Sequence, residues 1–267
     1  MMLNKRVCII GSGNSLQEGL DKNIQNLLKN EITFTLNEEF RFFDSTATFF
    51  TDWTFYQCRE KLLKNHPLII GRFDSHIGAK DRKTKKLYCS KLPQLIMLPS
   101  SSKYLDNPWN KGFYIGVLCG LFTLTFTIAL GVKEIFLLGF DGKSVNGKTH
   151  HYQGIKDFGI FVNEEGRPRT GVGLTNGVYN TGVFNKSRKS WNNDFWNKYK
   201  PELKKIKIYN VSPESTIDTF PKINYDEFIS KIKENPSNIN QNLIRKEIKE
   251  YITTHAKFNK NNFKCIN

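Results

Sequence analysis

The chain contains no C-x-x-C pair, no D-x-D step behind a hydrophobic run and no internal repeat. Its five cysteines, Cys8, Cys58, Cys89, Cys119 and Cys265, are odd in number and scattered, which excludes a disulfide framework or a four-thiolate zinc site. Cys8 and Cys119 lie inside apolar runs, where cysteine behaves as a small buried hydrophobe. Met1 to Arg6 leads into an apolar run that stops at Gly11, too short for a secretory signal, so a cytoplasmic location is expected. Acidic residues are also scarce. There are 25 Asp and Glu against 40 Lys and Arg, for a net charge of +15. Such an excess favours polyanionic partners, although a Lys- and Asn-rich coding bias produces the same basic surface.

What is present points to a globular α/β chain. Its 267 residues are 39% hydrophobic and include 21 Phe, enough for one large aromatic-rich domain with or without a lid. Gly112 to Val132 carries no charge over a length that could cross a bilayer. Its glycines and threonines, and the Gly131-Val-Lys stop before the strand-like Glu134 to Gly139, instead predict a buried helix feeding a central strand.

Lys5 to Ile10 reads as a buried strand, Gly11-Ser12-Gly13-Asn14-Ser15 as a tight turn, and Leu16 to Lys29 as a helix. Strand, Gly-rich turn and helix open a nucleotide-binding βα unit. Glycines let backbone approach a phosphate, and Ser12, Asn14 and Ser15 can bond phosphate or ribose; Ser15 equally suits a helix N-cap. The turn has the spacing of neither a P-loop nor G-x-G-x-x-G. Further strands are expected at Ile32–Leu36, Ala47–Thr51, Glu134–Gly139 and Lys205–Tyr209, ending at Asn37, Asp52, Phe140-Asp141 and Asn210. Polar residues at the carboxyl ends of parallel strands are where such sheets bind ligands. Asn210-Val-Ser212-Pro-Glu-Ser215 would add a second wall to a nucleotide pocket.

Residues 144–200 form an insert long enough to be a lid or acceptor-binding subdomain. At its start, His150, His151 and Lys143 supply a candidate general base and a cation for a leaving phosphate, while Asp141 joins them as a catalytic candidate. No thiol or carboxylate stands near the histidines at a zinc-ligand spacing, so no metal is expected. A domain over residues 1–235 and a basic amphipathic helix and tail over 236–267 complete the expected organisation. Lys80 to Lys86 reads as a solvated basic loop.

Five stretches carry a family resemblance across most of residues 5–215. They are Val7-Cys-Ile-Ile-Gly-Ser-Gly-Asn-Ser-Leu16, Asn37, Thr127-Ile-Ala-Leu-Gly-Val-Lys-Glu-Ile-Phe-Leu-Leu-Gly-Phe-Asp141, His151-Tyr152 and Ile206-Lys-Ile-Tyr-Asn-Val-Ser-Pro-Glu-Ser215. Together they resemble the bacterial sialyltransferases of glycosyltransferase family 42 and the related MptE-like group. The resemblance implies a GT-A-like variant: a single Rossmann-like, mostly parallel sheet with a lid, performing inverting, metal-independent transfer. It also implies nucleotide contacts from Ser12, Asn37 and Asp52. The family has Asn where Ser12 and Asp52 stand, a leaving-group Tyr where Lys143 falls, and its base His where Ile155 stands. The base therefore shifts to His151, with His150 in reserve, and the co-substrate stays open between CMP- and UDP-linked sugars.

The leading functional expectation is a glycosyltransferase with a hydroxyl acceptor. The chain also resembles phage proteins, some of which glycosylate 5-hydroxymethylpyrimidines. Lys186-Ser-Arg-Lys-Ser-Trp191, with Trp196 and Tyr199, would track phosphates of double-stranded DNA and stack on an extruded base in a host cytoplasm. A lipooligosaccharide or capsule acceptor is the alternative, with the basic helix resting on a membrane. A pterin diphosphokinase of the MptE-like kind would need Mg²⁺ and carboxylates, and a non-catalytic nucleic-acid binder would leave the strand-end polar residues idle. A homo-oligomer is compatible with all four.

Overall fold

A computed structural model of the chain describes residues 5–73, 92–101, 108–114, 118–144, 148–153, 155, 161–162, 168–169, 174–175, 178–179, 191 and 203–256. The main sheet is built from segments that tolerate burial on both faces, the pattern a parallel sheet demands. Strands β1 (Arg6–Ile10), β2 (Ile32–Leu36) and β3 (Ala47–Phe50) are buried along their whole length. They are followed by β4 (Ile69–Phe73), β5 (Leu95–Ser101), β6 (Phe113–Tyr114) and β7 (Glu134–Leu138). Two antiparallel ladders come next, β8 (Phe161–Val162) with β9 (Pro168–Arg169) and β10 (Leu174–Thr175) with β11 (Val178–Tyr179). The closing strand is β12 (Lys207–Val211).

The eight-stranded order is β12-β7-β1-β2-β3-β4-β5-β6, and every pairing in it is parallel. This is the Rossmann-like α/β sheet expected from the sequence. From β1 the chain steps outward to β6, then returns to lay β7 on the other side of β1. The reversal puts a topological switch point between the carboxyl ends of β1 and β7, the place where open α/β sheets hold ligands.

Helices cover both faces. Among the described residues they are α1 (Leu16–Asp21), α2 (Ile24–Leu27), α3 (Trp53–Leu63), α4 (Pro108–Lys111), α5 (Cys119–Ala129), α6 (Tyr225–Glu234) and α7 (Gln241–His255). Alternate residues of β1 serve the two sides. Val7 and Ile9 join Phe34, Phe49, Phe126 and Trp109 in one core, whereas Cys8 and Ile10 join Phe136, Leu138, Tyr225 and Phe228 in the other.

The uncharged stretch from Gly112 resolves into the edge strand β6 and the buried helix α5. Its threonines satisfy their hydroxyls on carbonyls one turn back: Thr123 donates to Cys119 O at 3.0 Å, Thr125 to Leu121 O at 3.0 Å and Thr127 to Thr123 O at 2.7 Å. No helix among the described residues is long and apolar enough to cross a membrane.

Four readings change on contact with the fold. The helix expected over Leu16 to Lys29 breaks at Asn23, whose φ of 59° is left-handed, into α1, α2 and a 3-10 turn at Leu28–Asn30. The basic helix set apart as an appendage is α7, and Ile244, Ile248 and Ile252 sit in the same core as Phe126. Its apolar stripe covers the sheet and is not offered to a membrane. The last strand runs to Val211, so Asn210 lies inside it and not at its end. β4 was not among the expected strands, because Gly71 and Arg72 interrupt its apolar pattern.

His66 ties the amino half together. Its Nδ1 lies 3.0 Å from Leu68 O and its Nε2 3.1 Å from Ser45 Oγ, and burial pushes it down to about 4. The unfolded ring binds a proton between about pH 4 and 6.5 where the folded ring does not, so stability rises with pH through that window. We expect His66→Gln to remove about 2–3 kcal/mol of that rise, read as a flatter climb of the urea midpoint between pH 4 and 6.5. An unchanged climb would disprove the assignment.

Candidate functional site

The switch point is made by two loops that touch through their backbones. Gly11 N donates to Leu138 O at 2.8 Å and Gly13 N to Gly139 O at 2.9 Å. A Cβ on Gly13 would stand 2.5 Å from Gly139 O and 2.8 Å from Asp141 Oδ2. Gly139 has φ +70°, and a Cβ there would collide with Gly11 O. The glycines that the sequence offered as a phosphate cradle thus serve, at Gly11, Gly13 and Gly139, the close approach of one loop to the other.

Asp141 fills the centre of this contact. Its carboxylate accepts from Ser15 N at 2.9 Å, from the Ser15 hydroxyl, and from Ser212 Oγ at 3.1 Å. The start of α1 is therefore already occupied by an anion belonging to the protein, and the Ser15 hydroxyl is turned to Asp141 and away from its own helix. Asn210 Nδ2 donates to Phe140 O at 3.0 Å, and Ser215 Oγ to Phe140 O at 2.7 Å and Asp141 O at 3.2 Å. Asn210, Ser212 and Ser215 are buried. Asn210 and Ser215 hold the carbonyls of a buried loop, which would otherwise lack partners. Four of the residues expected at a ligand, Ser15, Asp141, Ser212 and Ser215, are thus committed to one another, while Asn210 is tied to Phe140 O by its Nδ2 and has no partner at its Oδ1.

Others remain open. Ser12, Asn14 and Asn37 are half-buried, and among the described residues their side chains make no hydrogen bond. None of the turn's backbone hydrogen bonds uses the Ser12 or Asn14 N–H. Asn37 ends β2 with φ 52°, a left-handed conformation that Asn tolerates better than most residues. Asp52, just past β3, is exposed, and its carbonyl accepts Tyr56 N at 3.3 Å to start α3. Asp141, Ser12, Asn37 and Asp52 accordingly follow one another past the carboxyl ends of β7, β1, β2 and β3, with Asn210 near the end of β12 beside them. Five neighbouring strands at about 4.8 Å spacing give this row a length of roughly 19 Å.

The histidines reach the same edge. His151 N donates to Ser12 O at 3.0 Å, which docks the Thr149–Gln153 turn on the Gly-rich loop. The His151 side chain is fully enclosed, packed on Phe42 and Tyr152 with ring centroids 4.8 and 5.2 Å away. Its Nε2 lies 3.0 Å from Glu39 Oε2 and 3.2 Å from Glu39 Oε1, and its Nδ1 is buried with no partner. Burial pushes the Glu39 carboxyl up to about 7, against the opposing pull of His151. His150 Nδ1 sits 2.7 Å from Thr149 Oγ1; burial, then the neighbouring His151, pushes it down to about 4, so it is neutral at pH 7. Lys143 Nζ stands 3.7 Å from the exposed Glu214 carboxylate, a surface pair that contributes little.

Two residues of this site were not singled out in the sequence. Glu39 is one; the only signal was an acidic pair, Glu38-Glu39, directly after Asn37 in a basic chain. Glu38 faces elsewhere, 2.7 Å from Arg59 Nε. Tyr225 is the other. Its ring lies under Gly19 and its buried Oη has no hydrogen-bond partner of good geometry. Burial, then Asp141, Glu18 and Glu39, raise its hydroxyl well above the usual value.

Trp191 is corrected. It is buried, edge-on to Phe140 at 5.5 Å and Phe220 at 6.4 Å, and so belongs to the core and not to a base-stacking surface. Trp196, Tyr199 and the basic runs at 80–86 and 186–189 lie outside the described residues. Among the described residues no cluster of three or more His, Cys, Asp or Glu could hold a metal. Comparison of the chain with protein-family models, curated proteins and solved structures returns no match.

Asp141→Ala strips three donors of their acceptor in a buried loop contact. It is expected to lower stability by about 3 kcal/mol, more than either Ser15→Ala or Ser212→Ala. Equal losses in urea unfolding for Asp141→Ala and Ser212→Ala would contradict this hub.

Proposed function

We propose that the chain is an inverting glycosyltransferase, of a GT-A-like kind, that takes a sugar from a CMP- or UDP-linked donor without a metal ion. The observation that carries this reading is the neighbourhood of Ser12. Uncommitted polar side chains at Ser12, Asn14 and Asn37 stand at the switch point, and His151 with its unpartnered Nδ1 is docked on the Ser12 carbonyl. Asn both donates and accepts, which suits ribose hydroxyls and base edges.

In this mechanism the acceptor hydroxyl gives its proton to His151 while its oxygen bonds the anomeric carbon. The bond from that carbon to the phosphate oxygen breaks, and its electron pair leaves on the nucleotide. Lys143, two residues past Asp141, opposes the charge that develops there. Attack from the face opposite the leaving group inverts the anomeric centre. The +15 charge supports a polyanionic acceptor, and we place a 5-hydroxymethylpyrimidine of duplex DNA first and a surface glycan second.

A second reading draws support from the complete enclosure of His151. There the Glu39–His151 pair is a structural tie, and the edge binds a nucleotide without turning it over.

Incubation with a nucleotide-sugar panel and mass spectrometry of hydroxymethylated duplex DNA separates the two. The first reading expects a hexose-, pentose- or sialyl-sized mass gain that His151→Ala loses while nucleotide binding persists. Turnover that survives His151→Ala would refute the base. Asn37→Ala is expected to weaken nucleotide binding about tenfold, the effect of one lost hydrogen bond of roughly 1.4 kcal/mol. ATP binding that depends on Mg²⁺ would instead favour a diphosphokinase.

A further inference from the structure

The polar groups at the switch point fall into two sets. One set, around Asp141, is spent on internal hydrogen bonds that leave only Asn210 Oδ1 without a partner. The other, the Glu39–His151 pair, joins a fully enclosed carboxylate to a fully enclosed imidazole and still leaves one ring nitrogen without a partner. A buried nitrogen normally finds a hydrogen bond, so an orphaned one calls for an explanation.

We infer that Glu39 is the positioning residue of this site: its carboxylate takes the Nε2 hydrogen of His151 and leaves Nδ1 as the nitrogen that receives the acceptor's proton. The ring's two nitrogens cannot both carry a lone pair in the neutral form, and the hydrogen bond made by one decides the state of the other. Here both carboxylate oxygens lie on the Nε2 side, at 3.0 and 3.2 Å. Nothing competes at Nδ1. The rings of Phe42 and Tyr152 pack on the imidazole and hold its plane.

Enclosure also supplies a driving force. With Glu39 ionised and His151 neutral, the pair carries one net negative charge in a place that disfavours charge. One proton added at Nδ1 makes the pair neutral overall, and the imidazolium then faces the carboxylate. The burial that pushes Glu39 up to about 7 is thus the same effect that disfavours a lone negative charge on the pair. The charged and titratable groups around it are Glu38, which raises Glu39, His150 beside His151, and Tyr225, whose hydroxyl feels Glu39.

The glycosyltransferase reading enters only as the source of the proton; the tautomer rests on geometry alone. The full-length protein, labelled with ¹⁵N at histidine, gives a direct readout. The chain has five histidines, and the signal lost in His151→Asn assigns the ring. Long-range ¹H–¹⁵N correlation above about pH 8 should show a protonated Nε2 and a bare Nδ1 for His151. A bare Nε2 with a protonated Nδ1 overturns the inference, whatever the enzyme does.

In transfer assays with the donor that the panel identifies, Glu39→Gln is expected to reduce kcat roughly 10²-fold with KM near its original value, and to move the acidic limb of the pH–rate profile. A kcat within a factor of about two of the unaltered enzyme, with the limb in place, would also overturn it. Absence of transfer by the unaltered protein would count against the glycosyltransferase reading and not against the tautomer.

Discussion

The backbone contact between the turn after β1 and the loop after β7 is the constraint on which the rest of the site depends. Two N–H groups of the first loop donate to carbonyls of the second region, and the spacing leaves no room for a Cβ at Gly13 or Gly139. Close approach brings Asp141 over the start of α1, where it gathers the donors of Ser15 and Ser212. The carbonyls of Phe140 and Asp141 are then served from β12 and the turn beyond it, through Asn210 and Ser215. A carboxylate buried this way is satisfied by three donors, which is how a protein holds a charge away from water without a cation.

That arrangement has a consequence for ligands. In many doubly wound sheets the first helix after the Gly-rich turn presents its N-terminus to a phosphate. Here the position is taken by Asp141, and α1 has only six residues. The polar surface left open is displaced sideways, to Ser12, Asn14 and Asn37 on β1 and β2. Glu39 and His151 lie beside it, reached through the 3-10 turn Asn37–Arg41 on one side and the His151 N to Ser12 O bond on the other. Two buried carboxylates, Asp141 after β7 and Glu39 after β2, thus stand on either side of β1 with opposite treatment. Asp141 is surrounded by donors, whereas Glu39 faces a single imidazole and burial pushes its carboxyl up to about 7.

Burial dominates the electrostatics of this region more than the chain's net charge does. His66 and His150 are both pushed down to about 4 by burial, so neither is charged near neutrality. The excess of Lys and Arg acts on association with distant anions, while the charge states of Glu39, His66 and His150 are governed by local desolvation.

Much of the fold was legible because parallel central strands leave an unmistakable trace. Ile32–Leu36 was read to the residue, and the βα opening, the buried helix before β7 and the helix Gln241–His255 followed from apolar runs and their stops. β4 was lost because Gly71 and Arg72 break its pattern, and α7 was assigned to the wrong place because an amphipathic stripe shows that a face is buried but not what buries it. At the site, the sequence alone determined which polar residues fall at strand ends, since strand periodicity and a parallel sheet put them on one edge. Only the tertiary structure decided which of them are spent on each other and which stay open. Hydrogen-bond satisfaction depends on partners as distant in the chain as Ser15 from Asp141 or Glu39 from His151, and nothing local to either residue encodes that distance.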